Sequence, residues 1–240
     1  MYSNLSETIF SLFHRFIEKK YHLRRLSKIL KDLAFFKYPT IFDVGGNEGE
    51  SIDFFLNLFE NPKIYSFEPE TKSYKKLLDK YGKNKAVNLF KFAFGNKKEE
   101  LRLKINVKSS TSTLSKINTK SKYYNLKSLI LNPSKNNIFL GDEKVKVKKI
   151  DDFFYQKKIK TIHILKIDTE GFELNVIRGA KKALKKTKII IIEFQLNDMY
   201  LNYNPKKIDD FLINNNFTLV TALKFPFMPY EDRIYINKKY

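Results

Sequence analysis

The short apolar run Thr40-Ile41-Phe42 ends in an acid and breaks into a glycine loop, Asp43-Val44-Gly45-Gly46-Asn47-Glu48-Gly49-Glu50-Ser51. This one segment restricts the chain to few folds. A strand, a turn able to take positive φ and a helix N-terminus are what a fold needs to bring bare backbone against a nucleotide-like ligand. Nineteen residues after Gly49 comes Glu68, which closes a second apolar run, Ile64-Tyr65-Ser66-Phe67. An acid at that spacing, at the end of a second strand, is placed to accept both ribose hydroxyls.

The rest of the chain alternates in the same manner. Ile52, Phe54, Phe55, Leu58 and Phe59 predict a helix after the loop, broken by Asn61-Pro62. Thr71 to Tyr81 reads as a helix capped by Thr71, and Val87 to Phe94 as a third strand. Glu100 to Val107 and Lys144 to Lys149 alternate with period two, as strands with one wet face do. Ile162 to Ile167 is a core strand ending at Asp168, followed by a helix over Glu173 to Leu184. Lys188-Ile189-Ile190-Ile191-Ile192-Glu193-Phe194 is apolar enough to require burial on both faces. A last helix from Ile208 and a strand pair, through Phe217 to Ala222 and Arg233 to Ile236, close the chain. The expected architecture is α/β, a Rossmann-like sheet of seven mostly parallel strands with helices on both faces.

Two segments stand apart from this alternation. Residues 1–38 read as an N-terminal helical extension, with Leu26, Ile29, Leu30 and Leu33 as its apolar stripe and a basic remainder. Such a helix packs on its own domain, forms a dimer seam or lies weakly on a membrane surface. Residues 108–141 lose periodicity altogether, which points to a substrate lid inserted into the domain spanning 39–240.

The 240 residues carry no cysteine, which excludes disulfides, thiolate metal sites and cysteine nucleophiles. No run reaches the roughly 18 to 20 apolar residues of a membrane span, and no signal-peptide pattern is present, so a cytoplasmic protein is expected. The net charge of +20 comes almost wholly from lysine. The six arginines (Arg15, Arg24, Arg25, Arg102, Arg178 and Arg233) are few for a protein that reads nucleic-acid sequence, so no specific nucleic-acid partner is expected.

Asp43, Glu68, Asp168 and Glu193 all fall where parallel strands should end, and four acids at one sheet edge call for a compensating cation or hydrogen-bond donors. The loop reads D-x-G-G-N-x-G, not the G-x-G-x-x-G that seats a pyrophosphate. Asp43 beside it suits a ligand with an amine and a sulfonium, as in S-adenosylmethionine. The segments Phe42 to Gly49, Phe67-Glu68-Pro69, Ala93-Phe94-Gly95, Leu165 to Glu173 and Ile191-Ile192-Glu193 together resemble the FkbM-type S-adenosylmethionine-dependent methyltransferases, over about residues 40 to 195. The block Lys166-Ile167-Asp168-Thr169-Glu170-Gly171-Phe172-Glu173 is the most specific part of that resemblance.

The resemblance implies the class I methyltransferase fold, with Gly45, Asn47 and Gly49 along the methionine part of the cofactor, Glu68 on the ribose diol and Ala93 beside adenine. Asp43, Gly46 and Ser51 complete the expected cofactor set. It further implies transfer to a hydroxyl of a sugar, glycan precursor or related metabolite. A hydroxyl nucleophile must lose its proton to a nearby base or to a metal that acidifies it. Asp168 is the expected base and Glu170 its partner; Lys166, on the same strand face, keeps Asp168 ionised, and Glu193 positions the substrate. A divalent metal is compatible with these acids, and oligomeric state is unspecified. His163, walled by isoleucines, reads as structural, whereas His14 and His22 show no ligand spacing. Three other functions fit less of the chain: a glycan- or membrane-surface binding module without turnover, a nicotinamide-linked oxidoreductase and a nucleic-acid base methyltransferase.

Overall fold

The computed structural model describes residues 21–33, 36–132 and 137–240. In chain order the first half runs α1 (Leu23–Leu33), β1 (Thr40–Val44), α2 (Glu50–Leu58), β2 (Lys63–Phe67), α3 (Thr71–Tyr81), β3 (Val87–Phe90), β4 (Ala93–Phe94) and β5 (Glu99–Asn106). The second half runs α4 (Lys122–Leu131), β6 (Phe139–Lys148), α5 (Ile150–Gln156), β7 (Ile162–Ile167), α6 (Glu173–Arg178), β8 (Thr187–Gln195), α7 (Pro205–Asn214), β9 (Phe217–Lys224) and β10 (Tyr230–Asn237). Seven strands form one sheet in the order β3-β2-β1-β7-β8-β10-β9, and β4, β6 and β5 form a second, three-stranded sheet. All pairs of the large sheet are parallel except those of β10, which runs antiparallel to both β8 and β9.

Each face of the large sheet has its own apolar cluster. Ile41, Ile64, Ile164, Ile189, Ile191 and Ile234 meet Ile52 and Phe55 of α2, Leu77 of α3, and Leu26 and Leu30 of α1. Phe42, Val44, Phe67, Leu165, Ile167, Ile190 and Ile192 meet α5, α6 and α7 on the other side. Strand alternation assigns the two sets, and burial on both faces explains why the central strands read as continuous apolar runs. The described part of the N-terminal helix thus packs on its own domain, and its stripe is not available to a bilayer. Residues 1–20 and 34–35 of the expected extension lie outside the described residues. None of the described helices is long and apolar enough to cross a membrane.

Several expected elements are corrected. The third strand divides: β3 stays in the large sheet while β4 leaves it to pair with β6, Ala93 opposite Val147. The break lets Phe90, Phe92 and Phe94 all converge on Phe67 and Phe153. The helix after β7 stops at Arg178, and Gly179, which caps it, lies so close to the Gly95 carbonyl that a Cβ there would sit 2.0 Å from its oxygen. Glu70, not Thr71, occupies the cap position of α3, and Thr71 bonds Glu143 through its backbone N–H and hydroxyl. The aperiodic stretch 108–141 contains helix α4, capped by the Ser121 hydroxyl accepting from the Tyr124 N–H at 3.0 Å, and the start of β6. Its Tyr124, Leu131 and Ile138 make a small core with Met199 and Tyr200. Residues 133–136 of that stretch lie outside the described residues.

Leu30 is fully buried between α1 and the sheet. Leu30→Ala should therefore cost about 2–5 kcal/mol in urea unfolding, whereas Lys31→Ala on the exposed face should change stability by under about 0.5 kcal/mol.

Candidate active site

Register builds the site. Val44 of β1 is aligned with Phe67 of β2 and Ile167 of β7, and Ile167 with Ile192 of β8. The next residue on each strand is Gly45, Glu68, Asp168 and Glu193, so three acids and a glycine form one row at the carboxyl edge of the sheet. Antiparallel β10 begins at this same edge and sets Asp232 opposite Glu193. Asp43 falls one row of the same face deeper, aligned with Ser66 and Lys166. An open cleft of about 1120 Å³ lies over this edge, lined by Glu68, Lys166, Asp168, Glu170, Glu193 and Asp232, by the loop Gly45-Gly46-Asn47 with Ser51, and by Ala93 and Phe94.

Asp43 departs from the expectation that it faces a ligand. It is fully buried and accepts from the hydroxyls of Ser51 at 2.7 Å and Ser66 at 2.8 Å, so it supports the loop from beneath. The glycines are likewise set by the protein's own packing. Gly45 has φ +90°, and a Cβ there would lie 1.8 Å from the Asp168 carbonyl oxygen; Gly49 has φ +96° and leaves room for the Tyr81 ring. Asn47 also adopts positive φ, its N–H donates to Glu68 Oε2 at 2.9 Å, and its side-chain oxygen accepts from Ser109 at 2.9 Å.

Glu68 is buried on the cleft wall, with Oε1 accepting from the Glu70 N–H at 2.7 Å. Burial pushes its carboxyl up to about 8, against the pull of the two backbone donors. Two residues along from the row, Lys166 Nζ stands 3.1 Å from Asp168 Oδ2. Burial works against the lysine charge, yet Asp168, Asp43 and Asp232 outweigh it and hold the ammonium above its ordinary range. Asp168 is held above the usual carboxylate range by burial, with Asp232 and Asp43 adding to the effect and Lys166 opposing it.

Glu170 adopts positive φ, accepts from the Tyr200 hydroxyl, and is raised by burial and by Asp168 while Lys127 opposes. Glu193 is raised further, by burial and then by Asp168, Glu170 and Asp232, and accepts from Gln195 at 2.6 Å. Asp168, Glu170 and Glu193 bring carboxylate oxygens within 4.8 Å of one another, a spacing compatible with a divalent cation. The Lys166 ammonium already supplies positive charge to this group, and we assign no ion there.

Glu173 shapes the loop after β7. Its Oε1 accepts from the Thr169 N–H and hydroxyl and the Gly171 N–H, each at 3.0 Å, while the buried Oε2 has no partner. Burial lifts this carboxyl to about 7. His163 is structural in its contacts: its Nδ1 accepts from the Thr40 N–H at 3.0 Å. Asp232, His22, Tyr200 and Ser109 are site residues that sequence reasoning missed. The first lies just outside the expected strand Arg233 to Ile236, and the observed strand, which begins three residues before Arg233 at Tyr230, carries it to the rim.

A seven-stranded sheet with one antiparallel strand, a glycine loop after β1, an acid after β2 and an acid-lined cleft at the carboxyl edge define the class I S-adenosylmethionine-dependent methyltransferases. The Methyltransferase FkbM domain family matches residues 43–219, and the chain belongs to that family. The 2-O-methyltransferase NoeI of Sinorhizobium fredii is 25% identical over 174 residues, covering 70% of this chain and 68% of that protein. Among solved structures, TrmK of M. capricolum with S-adenosyl-homocysteine has a TM-score of 0.50 at 12% identity, over 92% of this chain and 70% of that one. Aeropyrum pernix fibrillarin with bound S-adenosyl-L-methionine has a TM-score of 0.48 at 9% identity, over 89% and 74% of the two chains. At such identities the structural likeness concerns the fold alone. S-adenosylmethionine is the methyl donor, and the residues present fit it: a buried acid for hydroxyl donors, an apolar wall at Ala93 and Phe94, and an anionic rim for a cation.

An acid whose folded pKa is raised stabilises the fold most below its unfolded value and loses that contribution as pH rises through the folded value. For Glu68 this window runs from 4.5 to about 8. The melting temperature of the cofactor-free protein should fall across it, and Glu68→Gln should reduce the slope while weakening cofactor binding in calorimetry. Glu173→Gln should melt close to the parent because Oε2 bonds nothing, whereas Glu173→Ala, which strands three donors, should cost about 2–4 kcal/mol.

Proposed function

We propose that this methyltransferase transfers its methyl group to a hydroxyl of a sugar, glycan precursor or related metabolite. The observation that carries the reading is Asp168. It stands at the sheet edge on the cleft wall, its proton affinity is raised by burial, and Lys166 lies beside it. An alcohol attacking a methyl group must shed its proton as the new bond forms, and an acid titrating above the ordinary carboxylate range accepts it with less mismatch.

In this reading Glu68 holds the ribose diol, Gly45, Gly46, Asn47 and Gly49 follow the methionine part, Ala93 borders adenine, and Asp43 with Ser51 keeps the loop in shape. The cofactor supplies an electrophilic methyl on a sulfonium. Asp168 takes the hydroxyl proton, Lys166 fixes the orientation of Asp168, and Glu170 and Glu193 accept from neighbouring hydroxyls of the acceptor. Tyr123, Phe172, Phe227 and Tyr230 line the same cleft, and aromatic residues beside acids suit a polyhydroxylated ring. The description of NoeI as a 2-O-methyltransferase supports transfer to oxygen. The domain division at about residue 38 and a substrate-side role for the 108–141 insertion belong to the same proposal. The Ser109 hydroxyl on Asn47 and the Thr113 hydroxyl donating to the Glu170 carbonyl support that role.

Incubation with methyl-labelled cofactor and a panel of free sugars, nucleotide sugars and glycan precursors, read by mass spectrometry, tests the substrate class. Label should appear on a sugar oxygen, and label confined to nitrogen or to nucleic acid would refute it. Asp168→Asn should lower kcat by about 10²–10⁴-fold with cofactor affinity retained, and the parental rate should fall as pH drops through an acid limb above the ordinary aspartate range.

A further inference from the structure

We propose that the cleft wall formed by β5 and the 108–141 insertion is a subsite for an aliphatic chain, so that the acceptor is an amphiphile: a sugar hydroxyl at the acidic edge, joined to an acyl or isoprenoid chain that lies along this wall. Leu103, Ile105 and Val107 alternate along β5 and just past its end, and all three line the cleft. On α4, Tyr123, Leu126 and Ile130 follow the i, i+3, i+7 spacing of one helix face and line it too. Lys127 shares that face, with its ammonium 5.6 Å from the centre of the Tyr123 ring. Leu114 and Leu140, also from the insertion, are further aliphatic residues of the cleft.

The protein's own packing does not account for this surface. Helix α4 is held by another face, where Tyr124 and Leu131 enter the small core with Ile138, Met199 and Tyr200, while Leu126 and Leu140 stay 55% and 63% exposed. Single exposed leucines are ordinary, but a strand face and a helix stripe that line one cleft make an apolar surface of the kind that marks a ligand groove. Neither the cofactor nor a sugar uses it, since the first is served by Glu68, the glycine loop, Ala93 and Phe94, and the second by acids and rings. At about 1120 Å³ the cleft also exceeds the roughly 300–1,000 Å³ of a pocket for one drug-sized ligand. The aliphatic wall is continuous with the acceptor end, because Thr113, next to Leu114, donates its hydroxyl to the Glu170 carbonyl. Carboxylates at one end and aliphatic side chains at the other match a molecule with a hydroxyl-rich head and an apolar tail. The concavity of the wall fits a chain rather than a flat bilayer or a second copy of the protein.

The inference rests on the proposed acceptor role of the carboxyl edge, but its test needs no methyl transfer. Chain-length dependence without sugar methylation would sink only the reading of the reaction, and sugar methylation without it only this inference. Binding of alkyl glucosides from hexyl to decyl to the full chain loaded with S-adenosyl-homocysteine is measured by calorimetry, below the concentration at which each forms micelles. The dissociation constant should fall about two- to four-fold for each added CH2. Leu126→Asp and Leu140→Asp should each abolish that dependence, while Leu78→Asp, exposed outside the cleft, should keep it. Folding of each variant is checked by circular dichroism, and if one of the two cleft variants fails to fold the other decides. Comparison of decyl with geranyl glucoside, equal in carbon number, then tells a straight chain from an isoprenoid. Affinity independent of chain length, or a dependence that survives in the cleft variants, overturns the proposal. If those variants instead abolish self-association or binding to phosphatidylglycerol vesicles and leave the glucosides bound as before, the wall belongs to a second copy or a bilayer and the proposal falls.

Discussion

A row of carboxylates is held at the edge of the sheet with one ammonium in its midst, and the rest of the architecture follows from that constraint. Parallel register brings Glu68, Asp168 and Glu193 level, and antiparallel β10 adds Asp232 from the opposite direction. Like charges this close raise each other's proton affinity, and burial raises it further. Lys166, aligned with Asp43 in the row beneath, offsets part of that repulsion. The edge is left wanting positive charge and hydrogen-bond donors, which a sulfonium, an amine and ribose hydroxyls provide together.

The walls of the cleft come from parts of the chain far apart in sequence. Ser109 of the insertion touches Asn47 on the glycine loop, and Thr113 touches the backbone of Glu170 in the loop after β7. Tyr200, packed with Tyr124 and Leu131 in the small core under α4, donates to Glu170 from below. The insertion thus contacts both halves of the cleft, while His22, just before α1, lines a third side.

Much of this was legible in the sequence, for definite reasons. Central strands announced themselves because burial on both faces demands branched apolar runs, and the strand-end acids followed from spacing. What was not legible depended on partners remote along the chain. Asp43 was read as a rim acid, but β1 continues one residue further to Val44, and the hydroxyls of Ser51 and Ser66 draw the carboxylate inward. Helix α4 was invisible because only Tyr124, Ser128 and Leu131 are buried along it, leaving no apolar period to detect. The split of the third strand depends on aromatic packing around Phe153, and His22 gains its meaning only from Asp232, 210 residues away. The glycine loop was read as room for a ligand, whereas Gly45 and Gly49 first make room for the Asp168 carbonyl and the Tyr81 ring.

The central claim is that the anionic edge stays partly protonated until the cofactor supplies its charge and donors. The number of protons released on S-adenosylmethionine binding, obtained by calorimetry in buffers of different ionisation enthalpy, tests it most directly. Release of about one proton at pH 7, lost in large part in Glu68→Gln, is the result this account requires. Binding of the cofactor with no proton released on the acid side of about pH 8, where Glu68 titrates, would contradict it.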